Sequence, residues 1–164
     1  MIPDPVALAL LFPVLIYAAW TDLRFMKLWN LTIFLIFVGF LLVAPWFMPL
    51  GDVAFRALVG AGVTLVLILA AAAGAFGGGD AKYLGALVPW IAPEGYPFFA
   101  ICLCGCLILL VPFLALARRS GALRAATLRW RSWRKRKIPM GVGISAAMLL
   151  YLTATALNLP AATG

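Results

Sequence analysis

The sequence predicts an all-α polytopic membrane protein. It should have about six transmembrane helices, both termini outside, and a basic cytoplasmic loop between spans five and six. Three observations carry this. Of the 164 residues, 66% are apolar and 11% charged, with a mean hydropathy of +1.11. Soluble domains run about 45–50% apolar and about 25% charged, so a water-soluble or disordered chain is excluded. Apolar runs long enough to cross a bilayer recur along the chain, and its cations concentrate in alternate loops. At this length residues 1–164 form a single membrane-embedded domain.

The first run covers residues 5–21. Its leader carries Asp4 and no basic residue, unlike a secretory signal. The second run covers 31–49, and Asn30 stands where a helix N-cap belongs. The third covers 53–76, with Arg56 near its start. A shorter run covers 81–92, the fifth covers 96–117, and the sixth covers 138–159.

Charge fixes the expected orientation. Thirteen Lys and Arg stand against five Asp and Glu, and nine of the thirteen fall within residues 118–137. Twelve of the thirteen lie in odd-numbered loops, with Arg56 the exception. The positive-inside rule therefore places those loops in the cytoplasm. The short fourth run rises only about 18 Å as a helix. Were it not to cross, the nine-cation loop would fall outside, so it is expected to span with local thinning, Pro89 kinking it.

The basic loop is expected to meet anionic lipid rather than nucleic acid. Within it Leu123, Ala126, Trp130 and Trp133 recur at helical spacing. That pattern suits either a helix lying in the headgroup layer or a plain topology anchor.

The available chemistry is narrow. There is no histidine, so imidazole catalysis is excluded. Cys102, Cys104 and Cys106 share one apolar run, and neither a disulfide framework nor a CxxC zinc module is visible. No metal or organic cofactor is implied. Ser120 and Ser132 sit among cations and Ser145 has no lysine nearby in sequence, which disfavours a Ser–Lys pair.

Five carboxylates remain: Asp4, Asp22, Asp52, Asp80 and Glu94. By the expected topology only Asp22 and Asp80 are cytoplasmic, each at the inner end of an apolar run. Two carboxylates at one depth are the minimum for aspartic proteolysis: an ionised one takes a proton from water, a protonated one hydrogen-bonds the scissile carbonyl. Asp80 follows Gly77, Gly78 and Gly79, which break the helix and remove side-chain bulk. The bland reading makes Asp80 the cap of the fourth span and Asp22 a partner of Arg24.

Gly77-Gly78-Gly79-Asp80-Ala81-Lys82 resembles the GxGD-x-K motif of the type IV prepilin peptidases, polytopic aspartic proteases of prokaryotic membranes. Asp22-Leu23-Arg24 with Leu28-Trp29-Asn30 resembles that family's D-x-R and Ile-Pro-Asn segments, Trp29 departing from the usual Pro. Ile138-Pro139-Met140-Gly141 resembles a Pro-x-Gly segment opening the last span of compact members.

The resemblance implies that Asp22 and Asp80 are the catalytic pair. Arg24, Asn30, Gly77, Gly78, Gly79, Lys82, Pro139 and Gly141 are implied as supporting or substrate-binding residues. It further implies a prepilin substrate, a short cytoplasmic leader ahead of an apolar helix, cut in the inner membrane on its cytoplasmic side. Larger members carry a cysteine-bearing module and methylate the new terminus. That module is not seen here, so peptidase activity alone is expected, most like the Flp (tight-adherence) type. Archaeal preflagellin peptidases are similar in plan, and a non-catalytic assembly partner is the alternative from another class. A transporter is disfavoured by the scarcity of polar residues deep in the spans. Small residues such as Gly60 and Gly62 suit helix packing within or between chains, and the oligomeric state is left open.

Overall fold

The computed structural model describes residues 2–75, 77–119, Trp130 and 138–157. The basic loop's residues 120–129 and 131–137 lie outside that set, as do Leu123, Ala126 and Trp133 of the expected interfacial helix. The described residues form six helices. These are α1 (Asp4–Phe25), α2 (Asn30–Val43), α3 (Leu50–Ala72), α4 (Gly78–Leu87), α5 (Tyr96–Arg119) and α6 (Met140–Ala156). Three segments, Asp4–Phe25, Leu50–Ala72 and Pro93–Ala117, are long and apolar enough to cross a membrane, and α2 and α6 are shorter apolar helices. Their outward faces carry exposed Phe12, Leu42, Leu58, Ile108 and Leu116, as lipid contact requires.

The helix bounds differ from the apolar runs: α2, α3 and α6 end short of theirs, while α1 extends past its own. The first helix continues through Asp22 and Arg24, because helix formation does not depend on lipid contact. It ends at Met26, whose left-handed backbone (φ 51°) directs its N–H to the Asp22 carbonyl at 2.8 Å. Ala7, Leu11, Leu15, Ala18 and Asp22 form one buried stripe on α1, recurring every three or four residues. That stripe packs against α6.

The short fourth run forms α4, which packs against α3, α2 and α6. Its α-helix stops at Leu87, and Val88–Trp90 continue as a 3-10 turn opened by Pro89. Pro89 thus ends the α-helix rather than kinking a longer one, since it lacks the N–H that would extend it. From Gly85 through Ala92 every residue is buried. The C-terminal end of this short helix therefore meets protein. Trp90 Nε1 donates to the Ile36 carbonyl of α2 at 3.1 Å, and its ring meets Phe40 edge-on.

Close approach to α3 needs two glycines. A Cβ on Gly60 would fall 2.7 Å from Pro89 Cγ and 2.9 Å from the Gly85 carbonyl, and one on Gly85 would collide with Thr64. Gly60 therefore packs helices within the chain. A Cβ on Gly62, by contrast, would meet nothing within 4 Å.

The ionisable residues separate by end. Asp4 reaches Thr155, and Tyr151 lies within electrostatic reach of Asp4, Arg56 and Glu94. Asp22 and Asp80 lie at the other end of the bundle, Asp22 within electrostatic reach of Asp80.

Candidate active site

Three helix termini converge there. Asp22 sits in the last turn of α1, Asp80 in the first turn of α4, and Gly141 in the first turn of α6. Buried Leu28, in the α1–α2 link, lies beneath the starts of α4 and α6. The two aspartates are 58 positions apart in sequence, yet each lies in the other's electrostatic field.

Each carboxylate is held by backbone N–H groups at the start of a helix. Gly77 occupies the N-cap position of α4, and Asp80, third in the helix, reaches back to the Gly77 N–H. This is the side-chain half of a capping box. Asp80 is therefore not itself the N-cap, because Gly78 and Gly79 are already helical. Asp22 faces the N–H groups of Gly141 and Val142. Pro139, the N-cap of α6, makes no side-chain cap, so Asp22 supplies from α1 the anion that this positive helix end favours. Asp22 is 5% exposed, and among the described residues its Oδ2 has no hydrogen-bond partner.

The glycines near the site do different things. A Cβ on Gly77 would lie 2.6 Å from Asp80 Oδ2, and one on Gly141 would lie 2.9 Å from Asp22 Oδ2. On Gly78 it would meet nothing within 4 Å, and on Gly79 only Leu28 at 3.8 Å. Gly77 and Gly141 therefore make room for the two carboxylates, while the middle of the glycine run does not.

Other residues of the expected site lie farther from the pair. Arg24 places its guanidinium over the Trp20 and Phe25 rings, 5.1 Å from each, instead of pairing locally with Asp22. Cation–π contact of this kind suits an interfacial arginine. Asn30 is the first residue of α2 and makes no cap; Trp29 holds the N-cap position. Asn30 and Lys82 line a groove of about 660 Å³ between α2, α3 and α4, otherwise walled mainly by apolar residues such as Phe34 and Ile68. Asp80 faces another way, into a cavity of about 90 Å³ among Leu67, Leu84, Leu103, Leu107, Met140 and Ile144. The larger groove is on the opposite side of α4 from the carboxylate, so its size does not mark the chemistry.

Two buried polar residues beside the pair have no counterpart in the motifs. Tyr83 hydroxyl and Ser145 Oγ are 2.7 Å apart, and Ser145 donates to the Gly141 carbonyl at 2.8 Å. The one sequence signal was a lone serine in an apolar span.

A model described as the type IV leader peptidase family matches residues 9–114, well over half of the chain. The match includes Asp22 and Asp80 and ends before α6. No curated protein and no solved structure matches the chain.

Proposed function

Because the chain belongs to the type IV leader peptidase family, we propose that this membrane-embedded protease is an aspartic endopeptidase that removes the cytoplasmic leader of prepilins, with Asp22 and Asp80 as its catalytic pair. The observation that carries the reading is the presence of these two carboxylates at one end of the bundle, each beside backbone N–H groups of a helix start. Two like charges within each other's field resist joint ionisation, so a proton held by one of them leaves a base and an acid together. The ionised member takes a proton from water, which attacks the scissile carbonyl. The protonated member hydrogen-bonds the carbonyl oxygen, and a proton then passes to the leaving amine. No covalent enzyme intermediate forms.

The cavity at Asp80 is large enough to admit water, which this route requires. Leu67 of α3 and Leu103 and Leu107 of α5 wall it, so the substrate's apolar helix would approach through that side. The concentration of cations in residues 118–137 supports a cytoplasmic site at the inner membrane, with anionic lipid against the loop. The three cysteines lie along α5, which supports peptidase activity without methyl transfer, in the Flp-type manner. Arg24, Asn30 and Lys82 would contact the leader or headgroups rather than the reacting bond.

The test is co-expression with a Flp-type prepilin, read by gel mobility. Wild type converts the prepilin to the shorter product. A wild type that inserts yet leaves every offered prepilin intact would instead favour a non-catalytic role in pilus assembly.

A further inference from the structure

Tyr83 lies three residues after Asp80 on α4, and Ser145 lies four residues after Gly141 on α6. Tyr83 is 0% exposed and Ser145 is 1% exposed. A hydroxyl has one proton to give. Ser145 gives its proton to the Gly141 carbonyl, so the 2.7 Å contact has Tyr83 donating to Ser145 Oγ. The Gly141 carbonyl belongs to the same peptide unit as the Val142 N–H, which donates to the Pro139 carbonyl at 3.3 Å and also faces the Asp22 carboxylate. A line of hydrogen bonds thus runs from Tyr83 through Ser145 to the Gly141–Val142 peptide, whose N–H is shared between the Pro139 carbonyl and Asp22. Tyr83 begins it on the helix that carries Asp80, and it is itself within electrostatic reach of Asp22.

Packing alone does not call for these groups. A phenylalanine and an alanine would fill the same space without placing two hydroxyls in a dry interior, where each demands a partner. Aligned hydrogen bonds polarise one another, so each donation strengthens the next toward the carboxylate.

We infer that Tyr83 and Ser145 are positioning residues for the peptidase reaction: Tyr83 ties the helix of Asp80 to α6, and Ser145 aims the Gly141–Val142 peptide at Asp22, so that together they set the separation and orientation of the two carboxylates. The inference rests on the peptidase reading given above. Neither residue touches the reacting bond.

The experiment has two arms in full-length protein. In the first, purified Tyr83→Phe, Ser145→Ala, Ser145→Thr and the Tyr83→Phe/Ser145→Ala pair are assayed on prepilin beside wild type and Asp22→Asn. The two single deletions lower kcat about tenfold, as expected for a misplaced catalytic group, with KM unchanged. Ser145→Thr, which keeps the hydroxyl, retains wild-type kcat. The double variant is no worse than the poorer single one, since both break one line. In the second arm, cysteines replace Asp22 and Asp80 in a background lacking Cys102, Cys104 and Cys106, and their cross-linking yield is measured. It falls when Tyr83→Phe is added.

Wild-type kcat in Tyr83→Phe and Ser145→Ala, additive losses, or an unchanged cross-linking yield would each overturn the inference. If Tyr83→Phe fails to fold, the Ser145 variants decide it alone. If wild type does not cleave but the cross-link responds to Tyr83→Phe, the peptidase reading fails while the positioning of residues 22 and 80 stands.

Discussion

Gly141→Ala separates the site's geometry from its stability. The new methyl would lie 2.9 Å from Asp22 Oδ2, 3.1 Å from Asp22 Cγ and 3.1 Å from Leu28 Cδ2. Ordinary contact begins near 3.4 Å, so the carboxylate must retreat by about half an ångström. The crowded atoms are the ends of side chains, which yield easily. Gly141 is the second residue of α6, where alanine is at least as well tolerated as glycine. Thermal stability in detergent should therefore hold or rise slightly. Activity should not. A displacement of about 1 Å at a reacting group costs about 100-fold, so a shift of half that size should cost roughly tenfold. The assay is initial-rate prepilin cleavage by purified protein, paired with a melting curve. A variant that melts like wild type and cleaves within about twofold of it would refute the claim that Gly141 is small to seat Asp22.

Two further contrasts follow from the same distances. Gly77→Ala brings a methyl within 2.6 Å of Asp80 Oδ2, whereas Gly78→Ala meets nothing within 4 Å. Cleavage should fall at least about tenfold in the first and stay near wild type in the second, both inserted normally, as rates at matched protein amounts will show. Gly60→Leu would drive α3 from α4 against Pro89 and the Gly85 carbonyl, while Gly62→Leu extends into open space. Overpacking of this kind costs about 1–3 kcal/mol, so thermal melting in detergent should drop for the first and not for the second.

Much of this arrangement was legible in the sequence because lipid imposes simple rules. Length and apolarity located five of the helices, loop charge argued for the short fourth, and the few carboxylates on the expected cytoplasmic side made Asp22 and Asp80 the candidates. The boundaries were less legible. Hydropathy stops at Thr21, but the helix continues to Phe25, which places Asp22 on the buried stripe instead of in a loop. The short fourth run was expected to cross with local thinning and a kink at Pro89; instead its α-helix stops at Leu87, and from Gly85 to Ala92 every residue is buried in protein. The glycine run was read as one feature, whereas only Gly77 crowds a carboxylate. Asn30 was expected to cap α2, but the turn places Trp29 at that position. Arg24 found aromatic faces on its own helix. The Tyr83–Ser145 bond joins residues 62 apart on different helices, and no local pattern announces such a pair.

The central claim is that Asp22 and Asp80 together perform the cut. It is tested most directly by mass spectrometry of prepilin incubated with purified wild type, Asp22→Asn and Asp80→Asn in proteoliposomes. Asn keeps the shape of each side chain and removes the titrating proton. The account predicts leader and mature pilin from wild type, and intact prepilin from both variants, at equal protein and unchanged melting temperature. Product from either variant at the wild-type rate would contradict it.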